Sequence, residues 1–278
     1  MVNYYAQERL NMGLFEKNIG PVFLKESTSL HDTLNALQQI RDKVVDEQKE
    51  ELEREIQFLQ YGIKGEENIA FELKNSHYDM YILHDLFLEH DGLTAQIDYM
   101  IMTKYTTYVL EAKNLYGNIT VDSKGNFIRS AYFHNHTFKE GIYSPITQNQ
   151  RHLELIKQMR LNEKNNFITK KIFKDNFYNN YKSLVVLTNP KTILNDHYAP
   201  KDIKSQIIKA DALVRYIKDH DAKRKDYKQS IKEIESLANY FLSCHNDNPT
   251  HYTDKYQTKE IKPLPTVDIE EELRSYRY

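Results

Sequence analysis

Asp98, Glu111 and Lys113 are the residues of this chain whose types and spacing could do chemistry, and all three lie in AQIDYMIMTKYTTYVLEAKN, residues 95–114. The stretch reads as two half-buried strands joined by TKYTT. Side chains alternate faces along a strand, so Val109, Glu111 and Lys113 share one face of the second. On the first, Gln96, Asp98, Met100 and Met102 share a face opposite Ile97, Tyr99 and Ile101. If the pair is antiparallel about a centre near Tyr105, the position opposite Asp98 falls near Glu111 and Lys113. Two carboxylates at close range repel, and one lysine compensates only in part. A hard divalent cation would neutralise both, since Mg²⁺ takes oxygen ligands from Asp and Glu while keeping water and phosphate bound. Such a metal stabilises charge on a scissile phosphate and acidifies a water, and a neighbouring lysine orients that water or steadies the developing charge. The competing reading is plain: solvated edge charges and a surface Glu–Lys pair.

The elements that would position these residues follow from periodicity. GPVFLKESTSL contains a turn and a short extended piece, with a helical run starting near Ser29 or His31. From Asp32 to about Tyr61 apolar residues recur at helical steps (Leu34, Leu37, Ile40, Val44, Leu52, Ile56, Leu59), which predicts one long helix or a helical hairpin with DEQKEELERE as its solvated face. Gly62 and Gly65 bracket an expected turn before a short helix over GEENIAFELKNS. MYILHDLFLEH predicts a buried strand, and GNITVDSKGNFIRS a hairpin turning at Ser123 to Asn126. SPITQNQRHLELIKQMRL predicts an amphipathic helix with Leu153, Ile156 and Met159 inward, and KSLVVLTNP a fully buried strand. IIKADALVRYIKDH reads as a strand entering a helix, with Asp211 as a possible cap. IKEIESLANYFLSCH is a last amphipathic helix. The resulting division is 1–61 as an N-terminal segment and helix, 62–245 as the core, and 246–278, with Pro249, Pro263 and Pro265, as a loosely attached tail.

The 278 residues, 40% hydrophobic and 28% charged, are ordinary globular usage, long enough for a real core. No run approaches a membrane span, and the first twenty residues lack a secretory apolar stretch, so a cytoplasmic location is expected. The one cysteine, Cys244, excludes an internal disulfide and a Cys-cluster zinc site and reads as a packed thiol. A formal charge of −2 neither demands nor excludes nucleic acid, because positive charge can be confined to one groove. His134 and His136 in YFHNHTF alternate onto one strand face, but with no third ligand at suitable spacing they read as surface or packing residues. Lys104, Lys139, Arg151 and Lys157 are candidate phosphate contacts. KDHDAKRKDYKQS, 218–230, reads as a solvated charged stretch.

GEENIA, AQIDYMIM, YVLEAKNLYGNI and SPITQNQRHLELI, in that order, resemble the NERD (nuclease-related domain) family of the PD-(D/E)xK nuclease superfamily. KES at 25–27, VVLTNPKT and ADAL extend the likeness, which covers roughly residues 20–220. The resemblance implies a restriction-endonuclease-like α/β core, a central mixed β-sheet flanked by helices, here with an N-terminal helical extension. It also implies roles. Glu66 matches the helix acid, with Glu67 beside it as the alternative. Asp98 matches the strand Asp, Glu111-Ala112-Lys113 matches the E-x-K, and Gln148 resembles the glutamine that follows the core. Asp98, Glu111 and Glu66 would be metal ligands. Ile97 stands where the superfamily signature has proline, a change the family tolerates. The expectation is therefore a Mg²⁺-dependent bacterial nuclease, with Mn²⁺ as a substitute, acting on nucleic acid and on DNA first, with a possible homodimer through the 32–61 helix. The alternative is a non-catalytic nucleic-acid-binding or structural module of the same fold.

Overall fold

A computed structural model describes residues 18–133, 136–247 and 252–257. His134 and most of the expected tail lie outside them. The central sheet has six strands in the order β1-β2-β3-β4-β8-β10. They are β1 (Pro21–Lys25), β2 (Met80–His90), β3 (Leu93–Thr103), β4 (Thr107–Lys113), β8 (Tyr181–Leu187) and β10 (Ile207–Lys209). β2, β3 and β4 are antiparallel neighbours, while β1 joins β2, β8 joins β4 and β10 joins β8 in parallel. A second sheet, β7-β6-β5-β9, is built from β5 (Asn118–Val121), β6 (Phe127–Phe133), β7 (His136–Ile142) and β9 (Leu194–Asn195). The expected hairpin is its β5–β6 pair. Two of its strands, β7 and β9, carry too weak an alternation to be read in advance.

Seven α-helices surround the sheets among the described residues: α1 (Ser29–Ile40), α2 (Asp46–Lys74), α3 (Pro145–Asn162), α4 (Phe167–Asn180), α5 (Lys201–Lys204), α6 (Leu213–Ala222) and α7 (Ile231–Ser243). The mixed α/β architecture expected of a nuclease-like core is thus present. None of these helices is long and apolar enough to cross a membrane.

Helices cover both faces of the central sheet. Ile69 and Leu73 of α2 and Leu213 and Ile217 of α6 pack on Ile82, Tyr99, Ile101, Tyr108 and Leu110. Leu153, Ile156 and Met159 of α3 and Ile234, Ala238 and Phe241 of α7 pack on Leu83, Met100, Met102 and Val109. Consequently β3 and β4 are not half-buried strands. Tyr108, Val109 and Leu110 are all fully buried, as expected of strands central in a covered sheet.

Three local expectations are corrected. The helical run breaks at residues 41–45 and then continues unbroken from Asp46 to Lys74, straight through Gly62 and Gly65. Those glycines are not a turn, and only at Gly65 does the helix press closely on its neighbours. Asp211 caps nothing. A short 3₁₀ turn, Ala210–Ala212, leads into α6 and gives its first amides no side-chain partner. The 218–230 stretch is not simply solvated either. Asp221 is 1% exposed and accepts from Tyr108 Oη (2.6 Å) and Tyr78 Oη (3.1 Å), Lys218 donates to the Ser76 carbonyl (2.8 Å), and Arg224 reaches Thr106 and Asn180. These bonds pin α6 to the sheet, so the charges there are structural. Cys244 packs, half-buried, against the Met100 side of the core. The apolar seam of the N-terminal helices is used within the chain, with Leu37, Val44, Leu52 and Ile56 closing around Tyr256.

Candidate active site

The β3–β4 pairing runs from Met102↔Thr107 to Tyr99↔Leu110 and stops there. One rung further, Asp98 and Glu111 would face each other, close to the spacing expected from the loop centre. Instead the strands fork. The Asp98 carboxylate inserts and accepts the Ala112 amide N–H at 2.6 Å, standing in for a strand carbonyl. The same level is irregular on the other side of β3. β2 pairs His84↔Tyr99 and then Leu86↔Ile97, so the register skips Asp85 and Asp98, and Asp85 adopts a left-handed φ of 57°. That region is rare for a non-glycine residue and tolerated best by Asp and Asn. The strand faces therefore slip at this rung. Ile97 joins the cluster of Met100 and Met102 instead of sharing a face with Tyr99, contrary to strict alternation.

Around the fork stand the remaining groups. Lys113 Nζ lies 2.7 Å from Glu111 Oε1 and donates to Gln148 Oε1 at 3.3 Å, so β4 and the first turns of α3 meet at the ammonium. α3 begins cleanly there because Ser144 Oγ accepts the Thr147 amide and Pro145 occupies the first turn, where its missing N–H costs nothing. Glu66, 8% exposed on α2, holds His84 Nε2 at 2.6 Å. His84 Nδ1 lies 2.9 Å from the Glu26 carbonyl, and its ring stacks on Tyr99 at 4.3 Å, while Tyr99 Oη donates to the Glu66 carbonyl. Glu67, the alternative helix acid, is exposed and pairs with Lys64, so α2 directs Glu66 and not Glu67 inward. Lys25 donates to the carbonyls of Ser27, His84 and Asp85, which secures the irregular rung and explains the KES segment.

Electrostatics mark the cluster as strained. Asp98 is half-buried as a residue, but its carboxylate is enclosed by protein groups. Burial first, then Glu111 and Glu66, push it well above the usual carboxylate range against the pull of the Ala112 amide and Lys113. Burial also raises Glu111, opposed by Lys113 and helped by Glu66. Glu111 Oε2 is buried without a hydrogen-bond partner. His152, one turn beyond Gln148, is lowered to about 4 by burial and Lys113. Among the described residues no three His, Cys, Asp or Glu side chains are grouped so that they could hold a metal ion, and Lys113 engages Glu111 while His84 engages Glu66. An orphaned buried carboxylate oxygen on Glu111 and the Asp98 carboxyl held toward its neutral form are both groups that added positive charge would relieve.

The amides next to Gln148 and the candidate phosphate contacts separate. Asn149 is fully buried and donates to the carbonyls of Val109 (2.8 Å) and Leu184 (3.2 Å), tying α3 to β4 and β8. Gln150 is exposed. Lys104 sits at the far end of the β3–β4 hairpin, 3.0 Å from Asp79, and so is no phosphate contact for this site. Lys139 is on β7, Arg151 stacks over Tyr143, and Lys157 lies over Tyr178 beside Glu154. His84, His152 and Lys25 were missed. A signal existed for the first two: a His-Asp pair inside an apolar strand, and a histidine four residues after Gln148 on the same helix face.

Gly65 shows how tightly α2 seats Glu66. A Cβ there would stand 2.5 Å from Thr188 Oγ1 and 3.2 Å from Asn114 Cβ, whereas one at Gly62 would meet only Leu30 Cδ1 at 3.6 Å. Both substitutions by alanine should favour the helix by up to about 1 kcal/mol. At Gly65 overpacking wins, for a net loss of about 1–2 kcal/mol. Urea melts of Gly62→Ala and Gly65→Ala are expected to shift in opposite directions.

The six-stranded mixed sheet flanked by helices is consistent with a nuclease-like core. Residues 61–188, a little under half of the chain, match the nuclease-related domain (NERD) family model, and Glu66, Asp98, Glu111, Lys113 and Gln148 all fall inside the matched span. No curated protein and no solved structure matches the chain.

Proposed function

We propose that the chain is a divalent-metal-dependent nuclease that hydrolyses phosphodiester bonds, with DNA as its substrate. The observation that carries this reading is the fork itself, where Asp98 comes up beside Glu111 with Lys113 held between Glu111 and Gln148. Asp98 and Glu111, with Glu66, would hold Mg²⁺, for which Mn²⁺ would substitute. The bound ion would supply positive charge to the scissile phosphate and a water of lowered pKa. Lys113 is placed to orient the attacking water or to stabilise charge developing on the phosphate oxygens. Gln148 fixes the ammonium by accepting from it, and His84 fixes the Glu66 carboxylate. The lone cysteine suits a reducing, cytoplasmic setting for this activity.

The alternative, a non-catalytic nucleic-acid-binding module, draws on one observation: the carboxylates are engaged by Lys113 and His84 and are not grouped around an ion. A dimer through the N-terminal helices would have to use exposed Phe58 and Tyr61, since the apolar seam is closed in the chain. Incubating wild type, Asp98→Ala and Lys113→Ala with single- and double-stranded DNA and RNA in Mg²⁺ or Mn²⁺ separates the readings. Cleavage by wild type and a loss of about 10²-fold or more in each variant is expected. Wild type that binds these nucleic acids without cutting any of them sinks the enzyme reading.

A further inference from the structure

We infer that α4 is a peripheral membrane-docking element, which lays its first two turns against an anionic lipid surface. The helix is apolar on two sides. Phe173 and Phe177 face inward, with Phe177 fully buried and stacked on Tyr181, so the inner face seats α4 on the core. Phe167, Ile168 and Ile172 stand in the first two turns on the outer side, and they are 80%, 69% and 58% exposed. These side chains are surplus to folding. Apolar residues scattered singly over a surface are ordinary, but a contiguous group on one helix marks an interaction surface.

The charge around the patch identifies the partner. KNNFITKKIFK, residues 164–174, carries Lys164, Lys170, Lys171 and Lys174 and no acid, in a chain whose formal charge is −2. Lys170, Lys171 and Lys174 are exposed, and among the described residues none of the three enters an ion pair. On the preceding helix, by contrast, Lys157 pairs with Glu154 and Arg160 with Glu163. A second copy of the chain would bring like charge against the patch. Nucleic acid would satisfy the ammonium groups but gives the two isoleucines nothing to bury against. An anionic bilayer meets both demands, because the apolar side chains enter the boundary between headgroups and acyl chains while the lysines stay level with the negative headgroups. Tyr227, 71% exposed beside Ile172, adds a ring of the kind that settles at headgroup level. Such a helix lies on the bilayer and does not span it. The groove beside Ile172 and Phe173 also reaches Tyr105, in the turn between β3 and β4, which is the end of that hairpin opposite the fork. β4 separates the two ends by about 20 Å, so docking through α4 leaves the fork facing water.

Flotation of the full chain with lipid vesicles tests this, comparing phosphatidylcholine alone with phosphatidylcholine containing about a third phosphatidylserine. Wild type is expected to partition onto the anionic vesicles at least about 10-fold more than onto the neutral ones, and to lose most of that preference when salt is raised from about 0.1 M to about 0.5 M. Changing Lys170, Lys171 and Lys174 together to Gln should erase the preference for anionic lipid. Phe167→Ser combined with Ile168→Ser should lower binding to anionic vesicles by about 10-fold or more and leave Tm unchanged, since neither side chain belongs to the core. Wild type that floats with neither vesicle overturns the inference. So does anionic binding that survives the loss of Phe167 and Ile168, which is adsorption by charge alone. A dimer seen by light scattering that the serine variant dissociates assigns the patch to a second copy instead, and a loss of duplex-DNA binding in that variant as large as its loss of lipid binding assigns it to nucleic acid.

Discussion

Asp98→Asn is expected to abolish hydrolysis while making the metal-free protein more stable. The carboxylate is held above its usual range by burial, Glu111 and Glu66, so its ionised form is the disfavoured one in the folded state. The sign follows from linkage. An acid whose folded pKa exceeds its unfolded value costs nothing below the unfolded value, near 4. It destabilises increasingly as pH rises toward the folded value. At neutral pH the asparagine variant escapes that cost, and its amide oxygen still accepts the Ala112 N–H. A gain of about 1–2 kcal/mol corresponds to an increase of about 2–6 °C in Tm in EDTA, and it should shrink as pH is lowered toward 4. Hydrolysis should fall by about 10³-fold or more, the loss of several kcal/mol of charge stabilisation. Wild type should gain stability on adding a dication, by about 2.7 kcal/mol at a hundred times Kd. The variant should gain far less. A variant less stable than wild type in EDTA would contradict the strained-carboxylate account.

Asn149→Leu is expected to damage the fold more than any conservative change at the neighbouring amides. The two side chains are similar in volume, so no cavity opens. What is lost is the pair of bonds to Val109 and Leu184, carbonyls of adjacent strands in the centre of the sheet. Each buried carbonyl left unsatisfied costs about 1–3 kcal/mol, so a loss of about 2–4 kcal/mol and a Tm lower by about 5–12 °C should be seen by calorimetry. Gln148→Leu should leave Tm within about 2 °C, because its partner Lys113 keeps Glu111. Its effect should fall on the cleavage rate. If the two variants melt alike, the separation of structural from site amide on α3 fails.

Much of this arrangement was readable from residue order alone. Alternation and the loop centre put Asp98 beside Glu111 and Lys113, since a short antiparallel connection leaves little freedom of register. The helical periods of α3 and α7 and the apolar run of β8 likewise left few alternatives. What sequence could not give was the slip at the Asp85–Asp98 rung. It depends on a left-handed Asp85 secured by Lys25, sixty residues earlier in the chain. Only the family resemblance separated Gln148 from Asn149: consecutive amides look alike by residue type until it is known which way the helix is rotated. Gly65 misled for a related reason. A glycine that permits a close approach to Thr188 has the same letter as one that ends a helix.

Lys25 and Glu26 carry a consequence for modularity. The matched span begins at residue 61, and every carboxylate of the fork lies within it. Yet the Glu26 carbonyl orients His84, Lys25 ties the rung that displaces Asp98, and Phe241 of α7 closes over the Met100 side of the sheet. The homologous segment and the autonomous unit are therefore different lengths of chain. Excised at its family boundaries and moved to another protein, the segment would retain the carboxylates but lose the support that aims Glu66. The smallest transplantable unit runs from β1 through α7.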